Sequence, residues 1–332
     1  MFHKLLFLLA NLFKTSLSAT RILSICVFIV CSNCQKNHNI DESKIPDQPV
    51  RIKCKTCGHS FRFDKSSPGS NDKPGGAKPV VRRIGVCLSK GGVGKTTTAV
   101  NVAAGLSLAG YRVLLIDTDT QGQSAYMLGV KPVGGLAELL TKELTLDEAL
   151  FKARENLWIL AGGKSLAGVK RLINRKDFGG ELTLSESLSE IDADYDYVVV
   201  DTSPGWDPLT VNVLFYVQEL LLPVSLEVMS LQALGSFFKS VASIKKYRSE
   251  LKIKYIVPNF MDLRVRKKSE TILEKLEALY KDTVCAPIRY NNVLSQAPMY
   301  GKTIFEYAPG AKGALDYKEL VRKITGQQDL FQ

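Results

Sequence analysis

Nine residues, Ser89-Lys90-Gly91-Gly92-Val93-Gly94-Lys95-Thr96-Thr97, set three glycines among two lysines and two threonines. Glycines leave no side chains in the way, so successive backbone N–H groups can turn inward around an anion where a helix begins. Gly94, Lys95 and Thr96 fit the close of the phosphate-binding pattern G-x-x-x-x-G-K-[ST], although Ser89 occupies its first glycine position. In such a loop the lysine, here Lys95, reaches β- and γ-phosphates and the Thr96 hydroxyl ligates Mg²⁺. A glycine-rich turn that binds nothing is the bland alternative. It sits badly with an intact GKTT between a strand and a helix.

Two acidic segments belong with this loop. RVLLIDTD, residues 112–119, and YDYVVVDTSPG, residues 195–205, each run an apolar strand into acids at its carboxyl end. Ligands of open α/β sheets bind at such ends. Asp201 at the close of three valines is placed to hold Mg²⁺ through water.

A different chemistry lies earlier. Cys31-Ser-Asn-Cys34 and Cys54-Lys-Thr-Cys57 are separated by 19 residues, the spacing of two knuckles that close a four-thiolate Zn²⁺ site. So small a segment lacks a sufficient core, and bound metal would supply the missing stability. Four cysteines leave no vacancy, so His38 and His59 are read as neighbours of the site or exposed. Cys26, Cys87 and Cys285 stand alone in apolar contexts and are expected to be buried thiols. Lys53, Lys55 and Arg62 suit nucleic acid or a docking partner equally.

The elements that must position these groups follow from the pattern of apolar runs. A strand over 82–89, a helix over 96–109 ended by Gly110, and alternating strands and helices to residue 324 give an α/β fold. The sheet is expected to be doubly wound and mostly parallel, covered on both faces. Residues 136–151 suggest two short helices, 157–160 a strand, and 166–176 an amphipathic helix whose Lys170, Arg171 and Arg175 form a solvated face.

At 332 residues the chain accommodates one large α/β domain and a small module. The first 80 residues carry 12 Lys/Arg against 5 Asp/Glu, and the rest 32 against 28, so most of the +11 net charge lies in the N-terminal quarter. The expected divisions are an apolar extension at 1–28, a zinc ribbon at 29–65, a Gly/Ser/Pro tether at 66–80 and the phosphate-loop domain at 81–326. Within 1–30, apolar runs broken by Lys14 and Arg21 fall short of the roughly 20 residues of a membrane helix. Three readings stay open there: a stretch translated from upstream of the native start, an interfacial segment, and a signal peptide. Export would part a phosphate-binding loop from the cell's nucleotides. A cytoplasmic chain without membrane attachment is therefore expected.

Lys90 carries a resemblance. KGGVGKTT resembles the deviant phosphate loop of the ParA/MinD family, and the resemblance extends over residues 82–324. It implies an ATPase that binds ATP and Mg²⁺ through Lys90, Gly91, Gly92, Val93, Gly94, Lys95, Thr96 and Thr97. It further implies an ATP-dependent homodimer in which Lys90 reaches the partner's nucleotide, a second ammonium against the charge that develops on the transferred phosphoryl group. DTDTQGQ resembles the family's D-x-D-P-Q-G-N, which assigns Asp117 to the Mg²⁺ surroundings and Asp119 to orienting the attacking water. Ser203-Pro204-Gly205 resembles a turn that senses the γ-phosphate, and Asn259 falls where the family makes adenine-side contacts. PIRYNNVLSQAPMYGKTIFEY, residues 287–307, looks like PRNVRLSEAPSHGKPILEY, except that Val293 replaces an arginine the family uses for DNA. Arg264, Arg266, Lys267, Lys268 and Arg289 are the candidates to compensate.

The resemblance implies a nucleoid-associated ATPase that binds DNA without sequence preference, works with a ParB-like or other cargo-adaptor protein, and segregates or positions a cargo. Two alternatives stand beside it: an iron–sulfur carrier-type ATPase, and a zinc-ribbon regulator that binds nucleic acid or docks a partner. A MinD-like membrane oscillator would end in a basic amphipathic helix. Residues 325–332 are short and not basic.

Overall fold

The computed structural model describes residues 26–30, 37–41, 50–63, 81–189, 191, 194–262 and 266–331. The chain divides into two compact units, Met1–Pro79 and Val80–Gln332. In the first, β1 (Cys26–Val30) pairs antiparallel with β2 (Asn37–Asp41), and β3 (Val50–Lys53) with β4 (Ser60–Phe63). The turn from β3 to β4 carries Cys54 and Cys57.

The second unit is built on eight strands: β5 (Arg82–Val86), β6 (Val113–Asp117), β7 (Leu150–Arg154), β8 (Leu157–Leu160), β9 (Tyr197–Asp201), β10 (Glu219–Ser225), β11 (Lys252–Met261) and β12 (Ile288–Arg289). Their order across the sheet is β12-β11-β10-β5-β9-β6-β8-β7. Every pairing is parallel except that of β7 with β8. Alternation along the strands divides the core in two. Leu114, Ile116, Val198, Val200, Leu220 and Leu222 face one apolar layer, whereas Val113, Leu115, Tyr197, Val199 and Leu221 face the other. Strands buried on both faces read as continuous apolar runs, which is why YVVVD lacks a polar side.

Helices cover both layers. On one side lie α1 (Lys95–Leu108) and the closing Lys312–Thr325, through Val100, Ala103, Leu106, Tyr317, Leu320 and Val321. On the other lie Leu166–Asn174, Pro208–Tyr216, Val228–Lys245 and Arg266–Tyr280. The doubly wound, mostly parallel sheet is the one expected from the sequence.

One element differs. Residues 136–151 form two short helices, Leu136–Leu140 and Leu146–Ala149, but Leu150 already begins β7, an antiparallel edge strand joined to β8 through Glu155 and Asn156. Asn156 takes φ +55, the left-handed conformation a two-residue hairpin needs. LFKAR holds too few apolar residues to announce a strand by alternation.

Candidate active site

β5 sits between β10 and β9; the chain passes from β5 to β6 on one side and from β9 to β10 on the other, and a crevice opens at the carboxyl ends of these strands where the order reverses. The segment 89–97, the acids after β6 and Asp201 of β9 all fall there. Gly94 caps α1 with φ +85, and Gly92 takes φ +71. No side chain caps the helix and its first turn holds no acid, which leaves its N-terminus positive. Lys95, 6% exposed, donates from Nζ to the carbonyl of Lys90 at 2.9 Å. Burial lowers its pKa, against the pull of Asp201, Cys87 and Asp119. Lys90 folds back on its own chain, Nζ lying 2.7 Å from Glu227 Oε2 and 2.8 Å from Ser230 Oγ.

Asp117 and Asp201 are register partners on adjacent strands, both fully buried. Asp117 accepts N–H groups from Asp119 at 2.9 Å and Ser124 at 3.0 Å. Burial nevertheless pushes its carboxyl up to about 6. Asp201 is raised well above the ordinary carboxylate value, by burial first and by the Asp117 charge second, with the Thr96 and Ser124 hydroxyls and Lys95 opposing. Its Oδ2 accepts from Ser124 Oγ at 3.2 Å, while Oδ1 is buried with no hydrogen-bond partner among the described residues. An orphaned carboxylate oxygen beside a threonine hydroxyl is a hard oxygen donor set, so these residues fit Mg²⁺. Asp119 is part-exposed and accepts the Gln121 N–H at 3.0 Å.

Residues outside the expected set brace this constellation. A Cβ on Gly162 would lie 2.7 Å from Asp117 Oδ1 and 2.5 Å from the Asp119 carbonyl, so the backbone after β8 presses directly on the acids. A glycine pair closing an apolar strand is the signal that marks it. After β9, Ser203 Oγ donates to Asp207 Oδ2 at 2.8 Å, which also receives Lys170 Nζ at 2.6 Å. Asp207 Oδ1 caps helix Pro208–Tyr216 through the Thr210 N–H. Burial pushes Asp207 up, but the Lys170 bond and the Thr210 N–H outweigh it and hold its carboxyl low. Asp-Pro at a helix start could have revealed this cap. Lys170, read above as part of a solvated face, is half-buried in this pair. A cleft of about 650 Å³ beside the acids is lined by Gly122, Tyr126, Gly162 and Tyr300, and not by residues 89–97.

The remaining candidates scatter. Asn259 is buried against Val93, to which its amide donates at 2.9 Å. Lys267 is exposed, Arg266 and Lys268 open helix Arg266–Tyr280, and Arg264 lies outside the described residues. Arg289 is engaged by Asp316, with Nη2 to Oδ1 at 2.5 Å and its own N–H on Oδ2 at 2.9 Å. That ion pair weakens the case for Arg289 as a phosphate ligand. Val293 is partly buried and packs against the core. Cys87 and Cys285 are buried, as expected, but in different core layers.

In the smaller unit Cys54 is buried and Cys57 exposed. Cys54 N–H donates to the His59 carbonyl at 2.8 Å, Gly58 N–H to the Cys54 carbonyl at 2.9 Å, and the Thr56 N–H lies 3.4 Å from Cys54 Sγ. An amide turned toward a cysteine sulfur, as that of Thr56 is, suits a metal-binding knuckle. Cys31 and Cys34 lie outside the described residues, which therefore hold half of the expected site.

Comparison with known proteins bears on both units. A family model described as an AAA domain matches residues 81–253, and one described as a zinc-ribbon domain matches 28–62. The sporulation initiation inhibitor protein Soj of Bacillus subtilis is 31% identical over 251 residues, 73% of this chain and 97% of the relative. The chromosome partitioning protein ParA of Myxococcus xanthus is 32% identical, over 72% of this chain and 87% of the relative. Among solved structures, cobyrinic acid a,c-diamide synthase from Mycobacterium smegmatis with bound ADP and magnesium is 27% identical with a TM-score of 0.63, covering 75% and 98%. A chain that places an uncapped glycine turn, two lysines and two buried acids at one sheet crevice, and that matches these proteins over nearly their full length, belongs to the ParA/MinD family of phosphate-loop ATPases and carries a zinc-ribbon domain before the ATPase.

Proposed function

We propose that this ATPase is a nucleotide-timed clasp in which two chains close on two ATP molecules and hold a cargo until hydrolysis releases it. The observation that carries the reading is the second loop lysine. Among the described residues the Lys90 ammonium is held by Glu227, whose side chain is 62% exposed, and by Ser230. With the Lys90 side chain 27% exposed and Glu227 largely in solvent, the pair is worth on the order of 1 kcal/mol, so moving Lys90 to a partner's triphosphate costs little.

In this reading Gly91 to Thr97 cradle the phosphates, Lys95 leaves the Lys90 carbonyl for the β- and γ-oxygens, and Asp119 orients the attacking water. Thr96 and Asp201, with Asp117 nearby, would hold Mg²⁺, which supplies charge neutralisation on the transferred group. Ser203 couples the nucleotide state to helices Leu166–Asn174 and Pro208–Tyr216 through Asp207 and Lys170. Closure joins Lys267 and its basic neighbours from two subunits into one surface that binds DNA through phosphates. A ParB-like or other adaptor stimulates turnover, and the protein works on the nucleoid in the cytoplasm. Cys31, Cys34, Cys54 and Cys57 hold one structural Zn²⁺. An iron–sulfur carrier role fits less well, because the two ATPase-domain thiols lie in separate core layers.

Size-exclusion light scattering tests the clasp. Wild type is expected to dimerise on ATP, and Lys90→Ala to bind ATP yet stay monomeric. Equal dimerisation of both removes the cross-subunit role.

A further inference from the structure

We infer that Asn259 is a positioning residue of the phosphate loop and not a reader of the base; the inference rests on the phosphate-loop reading above. Asn259 ends the buried part of β11, in register with Ser225 of β10 and Ile288 of β12. Its side chain is 1% exposed, and both ends of its amide have partners within the protein. Nδ2 donates to the Val93 carbonyl at 2.9 Å, and Oδ1 accepts the Phe260 N–H at 3.0 Å. Reversing the amide would set acceptor against acceptor and donor against donor, so one orientation is fixed.

The consequence passes through one peptide unit. In a trans peptide the carbonyl and the following N–H point in opposite directions. Drawing the Val93 carbonyl onto Asn259 therefore turns the Gly94 N–H away from β11, toward the hollow of the loop. That N–H is one of the donors an anion would meet.

The neighbouring residue completes the brace. The β11–β12 register shifts between Asn259 and Met261, and Phe260 at the shift takes φ +58. Bulges re-aim side chains beside active sites, and a left-handed aromatic residue persists only when its surroundings hold it. Here the Asn259 carbonyl oxygen holds the Phe260 N–H, and the ring comes up against Gly94. A Cβ on Gly94 would lie 2.3 Å from Asn259 Nδ2 and 3.0 Å from Phe260 Cζ. The glycine is thus required by space as well as by its φ.

Titration of wild type, Asn259→Asp and Asn259→Ala with ATP, GTP and inorganic triphosphate tests this, with Mg²⁺ present and a fluorescent nucleotide as competitor. The aspartate sets a carboxylate against the Val93 carbonyl but keeps an acceptor for the Phe260 N–H; the alanine removes donor and acceptor together. Both variants are expected to lose all three ligands by the same factor, about 10- to 100-fold, with the ATP-to-GTP ratio unchanged. Nucleotide-free melting curves choose the folded variant, and Asn259→Ala serves if Asn259→Asp unfolds. Undiminished triphosphate binding with a collapsed ATP-to-GTP ratio makes Asn259 a base reader and overturns the inference, as do unchanged affinities throughout. Wild type that binds none of the three instead overturns the phosphate-loop reading beneath it.

Discussion

The two ends of the parallel sheet bury charge in opposite ways. At the amino ends of the strands, Arg82 lies between Glu219 Oε2 at 2.6 Å, the Tyr197 and Tyr255 hydroxyls at 3.2 and 2.8 Å, and the Ile324 carbonyl. Lys254 adds a second cation to Glu219 at 3.1 Å. At the carboxyl ends, Asp117 and Asp201 crowd each other, Asp201 Oδ1 has no hydrogen-bond partner among the described residues, and Lys95 borrows a carbonyl of its own loop. Charge satisfied internally holds a fold together. Charge left wanting a counterion prepares a site for one, at a cost to the nucleotide-free protein.

Substitutions at each end can break this contrast. The largest expected effect is Lys95→Ala, which lowers ATP affinity on the order of a hundred- to a thousandfold by equilibrium binding. It leaves nucleotide-free stability unchanged or higher, because it removes an ammonium that burial penalises. Next comes Arg82→Met, expected to destabilise by on the order of 3 kcal/mol in denaturant unfolding, since Glu219 stays buried with its main partner gone. ATP affinity of the folded fraction should not move. A loss of affinity there would mean that the two ends are coupled.

The ends should also differ in the sign of their pH dependence. Burial raises Asp117 to about 6 from its ordinary 3.8, so the native state binds the extra proton between those values. Its contribution to nucleotide-free stability therefore falls as pH rises from about 4 to 6. Burial opposes Glu219 too, but the Arg82 bond holds it below the ordinary glutamate value. Its contribution is full above that value and is lost as pH falls through the lowered one. Melting temperatures should accordingly show Asp201→Asn gaining a few degrees over wild type near pH 8, with the gap closing near pH 4, while it loses Mg²⁺-dependent ATP binding. The smallest effect expected is that of Lys170→Met, about 1 kcal/mol from the half-buried pair with Asp207. It should alter ATP turnover more than ATP affinity if the Ser203 turn is coupled through Asp207.

Much of this was legible before the structure. Strands such as YVVVD are apolar throughout, and GKTT after a strand has few other meanings, so the sheet and the loop were readable. β7 was not, because in an edge strand with Phe151 and Lys152 exposed only Ala153 is buried, too little to show as an alternating pattern. Gly162 and the Asp207–Lys170 pair carry no local signal of their roles, because Gly162 presses on acids of another strand and Lys170, which reads as part of a solvated face, meets Asp207 37 residues on.

By itself, the sequence determined the chemistry available: a glycine turn, two lysines, three acids and paired cysteines, set by residue type and spacing over short distances. Tertiary structure decided which of these groups meet and which are already engaged. It put Asp117 beside Asp201, gave Arg289 to Asp316, folded Lys90 onto Glu227 and closed the amide of Asn259 on Val93. Each of those outcomes joins strands or helices far apart in the chain, and no local pattern encodes the register that brings them together.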